Sequence, residues 1–388
     1  MKTLRVGIAG AGTMGQGIAI AAAIKDHEII LYDIDPVSLE NAGGEIQKTI
    51  LRQKEKGLIS DEQSHAAQGL IHYTCELKDL SNCGIIIEAA FEDLNIKKQI
   101  FSELEAVVSS HTILASNTSS LSIASIAAAS KVPSRVIGMH FFNPAHLMQL
   151  VEIVPGLNTI DSTVERTVEI ARSWDKIPVI AKDTPGFIVN RIARPYYGEA
   201  LRILEEGNAD VATIDWAMRE AGGFRMGPFE LMDLIGNDVN YKVTETVFEN
   251  FYFDPRYRPS IIQKRYVEAG LLGRKSGRGF YDYSPQAKRP EPVKDAINAQ
   301  EIWFRIISMI INEACDALFL KVASVKDIDL AMTKGVNYPK GPLSWADEIG
   351  PDKVLVMLRR LQDEYGEDRY RSSPLLKRMV RHKQRFNE

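Results

Sequence analysis

The amino-acid sequence predicts an α/β chain, a parallel, doubly wound sheet followed by two all-α helical repeats. Three observations point there. Short apolar runs alternate with helical stretches between residues 4 and 154, the rhythm of strands joined by crossover helices. A glycine-rich turn links the first apolar run to the first helix. Residues 191–236 and 305–350 align with each other without a gap at an offset of 114, so a helical segment occurs twice.

Leu4–Ala9 is short and apolar, suited to a buried parallel strand. Gly10-Ala11-Gly12-Thr13-Met14-Gly15 follows at once, and Gln16–Ile24 reads as an Ala- and Ile-rich helix. In such a turn Gly10 permits the tight bend, Gly12 lets the backbone approach a pyrophosphate, and Gly15 allows close helix–strand packing. The helix N-terminus at Thr13 and Met14 then offers its N–H groups to the phosphates. Glu28–Tyr32 is a second strand, and Asp33 at its end lies 18 residues after Gly15. A carboxylate there accepts hydrogen bonds from the adenosine ribose and repels a 2′-phosphate, which favours NAD over NADP. The alternative is a glycine turn with no ligand. The strand before, the helix after and the spaced acid argue against it and for a Rossmann-type domain.

Residues 40–74 interrupt the rhythm with a long polar segment rich in Lys, Glu and Gln, expected as two antiparallel helices projecting from the sheet. Gly84–Ala90, Thr112–Ser116, Val136–Phe141 and Leu150–Val154 are further strands, with an amphipathic helix over Leu94–Val107.

Composition sets outer bounds. The 388 residues are 45% hydrophobic and 25% charged with a net charge of −4, which argues against a general nucleic-acid binder. Cys75, Cys83 and Cys315 form no CxxC pair, and the histidines do not cluster with them. No metal site or disulfide framework is expected, and a reducing compartment is. No apolar run approaches the roughly 20 residues that span a bilayer. The N-terminal run lacks the pattern of a secretory signal, so a cytoplasmic protein is expected.

An NAD-linked oxidation of a hydroxyl needs a base. His140 ends a strand whose carboxyl end opens toward the cofactor crevice, and imidazole titrates near working pH. Glu152 is a lone carboxylate within Leu150–Val154, costly to bury unless paired. A His140–Glu152 pair would settle that cost and orient the ring. The bland alternative is a core histidine beside an unrelated glutamate. Ser116–Ser120 follows a strand on the same rim, so its hydroxyls and amide either donate to a substrate oxygen or cap the helix expected over Leu121–Ala129, with Ser120 or Ser122 as N-cap. Asp183–Arg191 marks a boundary, with Asn190 expected one to two turns into a new helix.

These segments resemble the 3-hydroxyacyl-CoA dehydrogenases, and among them the bacterial 3-hydroxybutyryl-CoA dehydrogenases. The matching blocks are Ala115–Leu121, His140–Pro144, Val151–Val154, Asp183–Ile192, Gly227–Gly236 and Gly273–Tyr283, in the family's order and spacing. The resemblance implies NAD-dependent interconversion of (S)-3-hydroxyacyl-CoA and 3-ketoacyl-CoA, with His140 as base and Glu152 as its partner. It implies that Ser119 and Asn190 contact the 3-oxygen and that Glu92, Lys97 and Asn143 approach the cofactor. It also implies that Lys56 meets the CoA phosphates, with Thr49 standing where the family has serine. An acyl-CoA is then the partner, with neither nucleic acid nor membrane. 3-Hydroxybutyryl-CoA is the first choice of substrate. 3-Hydroxyadipyl-CoA, or a sugar acid of the L-gulonate type, is the alternative.

In the repeat, Arg191-Ile192 matches Arg305-Ile306, Glu199-Ala200 matches Glu313-Ala314, Asp215 matches Asp329, and Asp233 matches Asp347. Asn190, however, corresponds to Phe304, and the Asp183–Phe187 run has no counterpart. The expected domains are a Rossmann domain over 1–182, a first helical copy over 183–283, a Pro-containing extended linker over 284–300 and a second, non-catalytic copy over 301–388. A monomer with an internal pseudo-dimer, or a homodimer, follows.

Overall fold

The computed structural model of the chain describes residues 3–387. They divide into two compact units, Met1–Phe187 and Ile188–Glu388.

The first unit runs β1 (Arg5–Ala9), α1 (Thr13–Ala23), β2 (Glu28–Tyr32), α2 (Pro36–Glu55), α3 (Asp61–Gly69), β3 (Ile71–Thr74), β4 (Ile85–Glu88), α4 (Leu94–Val107), β5 (Ile113–Ser116), α5 (Ile123–Ala127), β6 (Val136–Phe141), β7 (Leu150–Pro155), α6 (Asp161–Ser173) and β8 (Ile177–Ile180). The eight strands form one sheet in the order β3-β2-β1-β4-β5-β6-β7-β8. The order reverses direction between β1 and β4, so the carboxyl ends of these strands open a crevice at that switch point.

The sheet departs from the all-parallel expectation at one place. β7 runs antiparallel to β6, and β8 runs parallel to β7. Only residues 142–149 join β6 to β7, too few for a crossover, which needs a dozen or more. The consequence is direct: antiparallel register sets His140 opposite Glu152.

The segment 40–74 is also only partly as expected. Its last four residues are strand β3, which extends the sheet beside β2. Nor does α2 simply project, because Leu39, Ala42, Ile46 and Ile50 are buried in the main apolar cluster with Ile8, Ile29 and Leu31. The polar residues noted in the sequence lie on its other face. Asp35 caps α2 by accepting from the Val37 and Ser38 N–H groups, and Ser60 caps α3 in a reciprocal arrangement with Gln63.

The second unit is all-helical and built twice. The first copy has α7 (Val189–Ile192), α8 (Arg194–Glu205), α9 (Val211–Glu220), α10 (Pro228–Ile235), α11 (Asn237–Asn250) and α12 (Ile261–Glu268). The second has α13 (Ala296–Phe319), α14 (Val325–Gly335), α15 (Pro342–Ile349), α16 (Pro351–Tyr365) and α17 (Pro374–His382). The single helix α13 replaces α7 plus α8. Pro195 lacks the N–H that a continuous helix would need there, whereas its counterpart Met309 has one. Asn190 therefore sits in a four-residue helix, not one to two turns into a long one. The linker is shorter than expected as well, because Asp295 caps α13 and residues 296–300 are helical.

Both copies are wired alike. Asp215 accepts from the Phe229 and Glu230 N–H groups, and Asp329 accepts from Leu343 and Ser344. Between the copies the ion pairs are reciprocal. Arg191 meets Glu313 at 2.5 Å, and its counterpart Arg305 meets Glu199 at 2.7 Å. Tyr257 donates to Glu313, and Tyr370 donates to Glu199. Residue i touching j while the equivalent of j touches the equivalent of i is the mark of an isologous, two-fold interface, here contained in one chain.

Candidate active site

The carboxyl edge of the sheet carries the candidate chemistry of the first unit. At its centre is the glycine turn. Gly10 has φ of 117°, and a Cβ there would lie 2.7 Å from the Ala89 carbonyl oxygen. A Cβ on Gly15 would lie 1.9 Å from the Gly10 carbonyl oxygen. Around Gly12, by contrast, a Cβ would meet nothing within 4 Å, which leaves open space beside the backbone. Helix α1 begins with no side-chain cap and no acidic residue in its first turn, so its leading N–H groups are available to an anion. Asp33 accepts from the Ala11 N–H at 2.8 Å and from Asp35 at 3.0 Å, tying the end of β2 to the turn. A carboxylate has about four acceptor positions, so ribose hydroxyls can still be held. The turn, the uncapped helix and the acid fit a dinucleotide.

His140 and Glu152 meet as the register requires. His140 Nδ1 lies 2.6 Å from Glu152 Oε2, and the glutamate is fully buried. The imidazole packs between Phe142, at 4.5 Å between ring centres, and Phe187, at 5.9 Å. A carboxylate on Nδ1 holds the ring in one orientation and leaves Nε2 as the atom for proton transfer. Phe187 and the preceding Gly186 both have positive φ, 47° and 72°. For a phenylalanine that is a strained conformation, of the kind that concentrates at functional sites.

Glu92 gathers the turn after β5. It accepts from the Thr118 hydroxyl at 2.6 Å, the Ser119 N–H at 2.9 Å and the Ser119 and Ser120 hydroxyls, both at 3.2 Å. Burial alone would push its carboxyl up, but the Lys97 ammonium and these donors outweigh burial and hold it below its ordinary range. Ser122, not Ser120, caps α5, and it shares that cap with Asp183, which accepts from the Ile123 and Ala124 N–H groups. Asn143 precedes a cis proline. Thr49 and Lys56 lie at the carboxyl end of α2, where Lys56 is the exposed C-cap residue. Asn190 belongs to the helical unit.

Several residues that position this edge went unnoticed in the sequence. Glu88, at the end of β4, is fully buried and accepts from Lys97, Ser116 and the Ala90 N–H. Asn117, by contrast, supplies the amide already singled out in the Ser116–Ser120 run, and its Oδ1 accepts from the Phe141 N–H at 2.8 Å and so fixes the strand end that carries His140. Lys176 donates to the Ala145 and Met148 carbonyls and secures the loop after Asn143; burial pulls its ammonium down to about 8. A carboxylate in an apolar strand, as at Glu88, was the available signal, since burial there demands partners.

In the second copy a groove of about 770 Å³ runs between α13 and α16, lined by Ile297, Phe304, Val356 and Met357 among others. Phe304 stands where the first copy has Asn190, and a benzyl side chain offers no hydrogen bond. Among the described residues no group of His, Cys, Asp and Glu is placed to hold a metal, and no helix is long and apolar enough to cross a membrane.

Comparisons with known proteins agree with this geometry. The family model described as 3-hydroxyacyl-CoA dehydrogenase, NAD binding domain, matches residues 5–184. The model of that family's C-terminal domain matches twice, over 186–283 and 302–386. The chain is 38% identical to a 3-hydroxyadipyl-CoA dehydrogenase of Escherichia coli (strain K12), with 96% of each covered. It is 41% identical to a 3-hydroxybutyryl-CoA dehydrogenase of Bradyrhizobium diazoefficiens, covering 75% of this chain and 98% of the relative. A crystal structure of 3-hydroxybutyryl-CoA dehydrogenase from Escherichia coli K12 superposes with a TM-score of 0.92 at 36% identity, covering 98% of this chain and 99% of the other. The chain belongs to the 3-hydroxyacyl-CoA dehydrogenase family and is an NAD-dependent oxidoreductase of that class.

Proposed function

We propose that the chain interconverts (S)-3-hydroxybutyryl-CoA and acetoacetyl-CoA in the cytoplasm, with His140 as the general base. The observation that carries this is the buried His140–Glu152 pair at 2.6 Å on the edge that holds the dinucleotide turn. Gly10, Gly12, Thr13, Met14, Gly15 and Asp33 hold the dinucleotide, and Glu92, Lys97, Ser119 and Asn143 approach it. When bound, NAD accepts the hydride from C3 of the substrate. His140 Nε2 takes the hydroxyl proton as the C3–O bond becomes a carbonyl, and Glu152 stabilises the imidazolium that results. In reverse, protonated His140 returns that proton to the 3-keto oxygen. The Ser119 hydroxyl steadies the 3-oxygen, and the same role for Asn190 rests on its motif. Lys56, with Thr49 on the same helix, meets the CoA phosphates. General acid–base help of this kind is worth about 10²–10⁴-fold.

A dicarboxylic substrate is the second reading. It is favoured by the near full-length match to an enzyme named 3-hydroxyadipyl-CoA dehydrogenase. The two are separated by kcat/KM for acetoacetyl-CoA and 3-ketoadipyl-CoA with NADH. The higher value for acetoacetyl-CoA supports the first reading, and the reverse order replaces it with the second.

We also infer that the second helical copy, 301–388, is non-catalytic and takes the place of a partner subunit. The reciprocal Arg191–Glu313 and Arg305–Glu199 pairs support this, because they satisfy the interface within the chain. Light scattering should give the mass of one chain. A mass of two chains would contradict the inference.

A further inference from the structure

Glu88 takes no part in the chemistry above, yet it is a fully buried acid on the cofactor edge with both carboxylate oxygens engaged. Its Oε1 accepts from the Ala90 N–H and from Lys97 Nζ, both at 2.7 Å, and its Oε2 accepts from the Ser116 hydroxyl at 2.6 Å. It is fully buried, and Lys97 is 1% exposed. Burying a carboxylate and an ammonium is costly, so the pair persists only where its geometry is closely held.

The three partners lie on three elements. Ala90 belongs to the turn pressed against Gly10, where a Cβ on the glycine would meet Ala89 and Ala90 backbone atoms. Lys97 lies on α4. Ser116 ends β5 beside Glu88 in register, and its hydroxyl accepts from the Thr118 N–H at 3.3 Å. Lys97 then reaches outward to Glu92 at 3.4 Å, and Glu92 holds Thr118, Ser119 and Ser120. Two routes therefore lead from Glu88 to Ser119, one through Lys97 and Glu92 and one through Ser116. Lys97 is a buried link between an inner and an outer carboxylate, not a free cation.

We propose that Glu88 is a positioning residue: by fixing Lys97 it sets Glu92 and the 118–120 turn at the place where the nicotinamide half of NAD and the substrate meet. This rests on the reading of Glu92, Lys97 and Ser119 given above. Without the inner charge, Lys97 shifts toward Glu92 and the turn moves with it.

The test is a double-mutant cycle of wild type, Glu88→Gln, Lys97→Met and the double variant. Its readouts are the NADH dissociation constant by fluorescence titration, KM and kcat with acetoacetyl-CoA, and the melting temperature without cofactor. Glu88→Gln should weaken NADH about tenfold, the scale of one lost charge-assisted hydrogen bond, and raise KM for acetoacetyl-CoA. Lys97→Met should act similarly, and the double variant should be no worse than the poorer single one. Independent tenfold losses multiplying to about a hundredfold would overturn the proposal. So would a lower melting temperature in Glu88→Gln with NADH affinity unchanged, since that is a structural role alone. If Glu88→Gln does not fold, the neutral double variant remains, and its NADH affinity must equal that of Lys97→Met. Absence of wild-type turnover with NADH still bound bears on the substrate reading only, because the proposal is judged on NADH affinity.

Discussion

Glu313 offers the sharpest test of the two-fold helical unit. It is fully buried and accepts from Arg191 at 2.5 Å, Arg256 at 3.1 Å and the Tyr257 hydroxyl. Burial would push its carboxyl up, but the two guanidinium groups and the phenol outweigh burial and hold it below its ordinary range. Glu313→Gln keeps the shape and removes the charge. Arg256 retains Asp316, but Arg191, 2% exposed, loses its carboxylate. Breaking a buried pair in this way costs about 3–5 kcal/mol. At about 2–4 °C per kcal/mol for a unit of this size, the melting temperature of the helical unit should fall by about 6–20 °C. Glu199→Gln, its two-fold counterpart, should fall within the same range, because Glu199 receives Arg305 and Tyr370 in the equivalent way. Differential scanning calorimetry with far-UV circular dichroism reads both. A shift under about 2 °C in either variant, or a large shift in one and none in the other, would refute the reciprocal interface.

Other outcomes follow from the first unit. Gly15→Ala should abolish NADH binding, because the added Cβ would sit 1.9 Å from the Gly10 carbonyl oxygen; a fluorescence titration unchanged from wild type would contradict this. Glu152→Gln should lower kcat by about 10²-fold or more with little change in NADH affinity, and stopped-flow turnover would measure it. Glu105 bears on acid stability. Burial would raise its carboxyl, but the Ser130 hydroxyl, the Lys131 and Val132 N–H groups and Arg135 hold it at about 2, against an ordinary 4.5. A depressed carboxyl stabilises the fold above 4.5 and loses that contribution as pH falls toward 2. Urea midpoints should therefore drop less for Glu105→Gln than for wild type between pH 5 and pH 3, and parallel curves would contradict the assignment.

Much of this was legible in the sequence because it depends on local pattern. The Gly10–Gly15 turn, Asp33 and the strand ending at His140 each announce themselves by spacing. Glu152 was legible for a physical reason, as an acid buried in an apolar strand demands a partner. What could not be read was set by chain direction and by distant contacts. The antiparallel turn of β7 follows from a short connection, and a strand's apolar pattern is the same in either direction. Strand β3 was hidden at the end of a polar helical segment, and its four residues are too few for a period to show. The same reasoning that found Glu152 applied to Glu88, but its partners Lys97 and Ser116 lie on other elements and nothing in the sequence ties them together. The reciprocal Arg–Glu pairs were visible only as aligned positions, not as contacts.

In the proposed reaction His140, held by Glu152, moves the proton in an NAD-linked oxidation at C3 of an acyl-CoA. The most direct measurement follows NADH absorbance with acetoacetyl-CoA, in wild type and in His140→Gln, alongside NADH binding by both. Wild type should turn over, with kcat reduced by about 10²–10⁴-fold in the variant and NADH affinity nearly unchanged. Turnover in His140→Gln equal to that of wild type would contradict it.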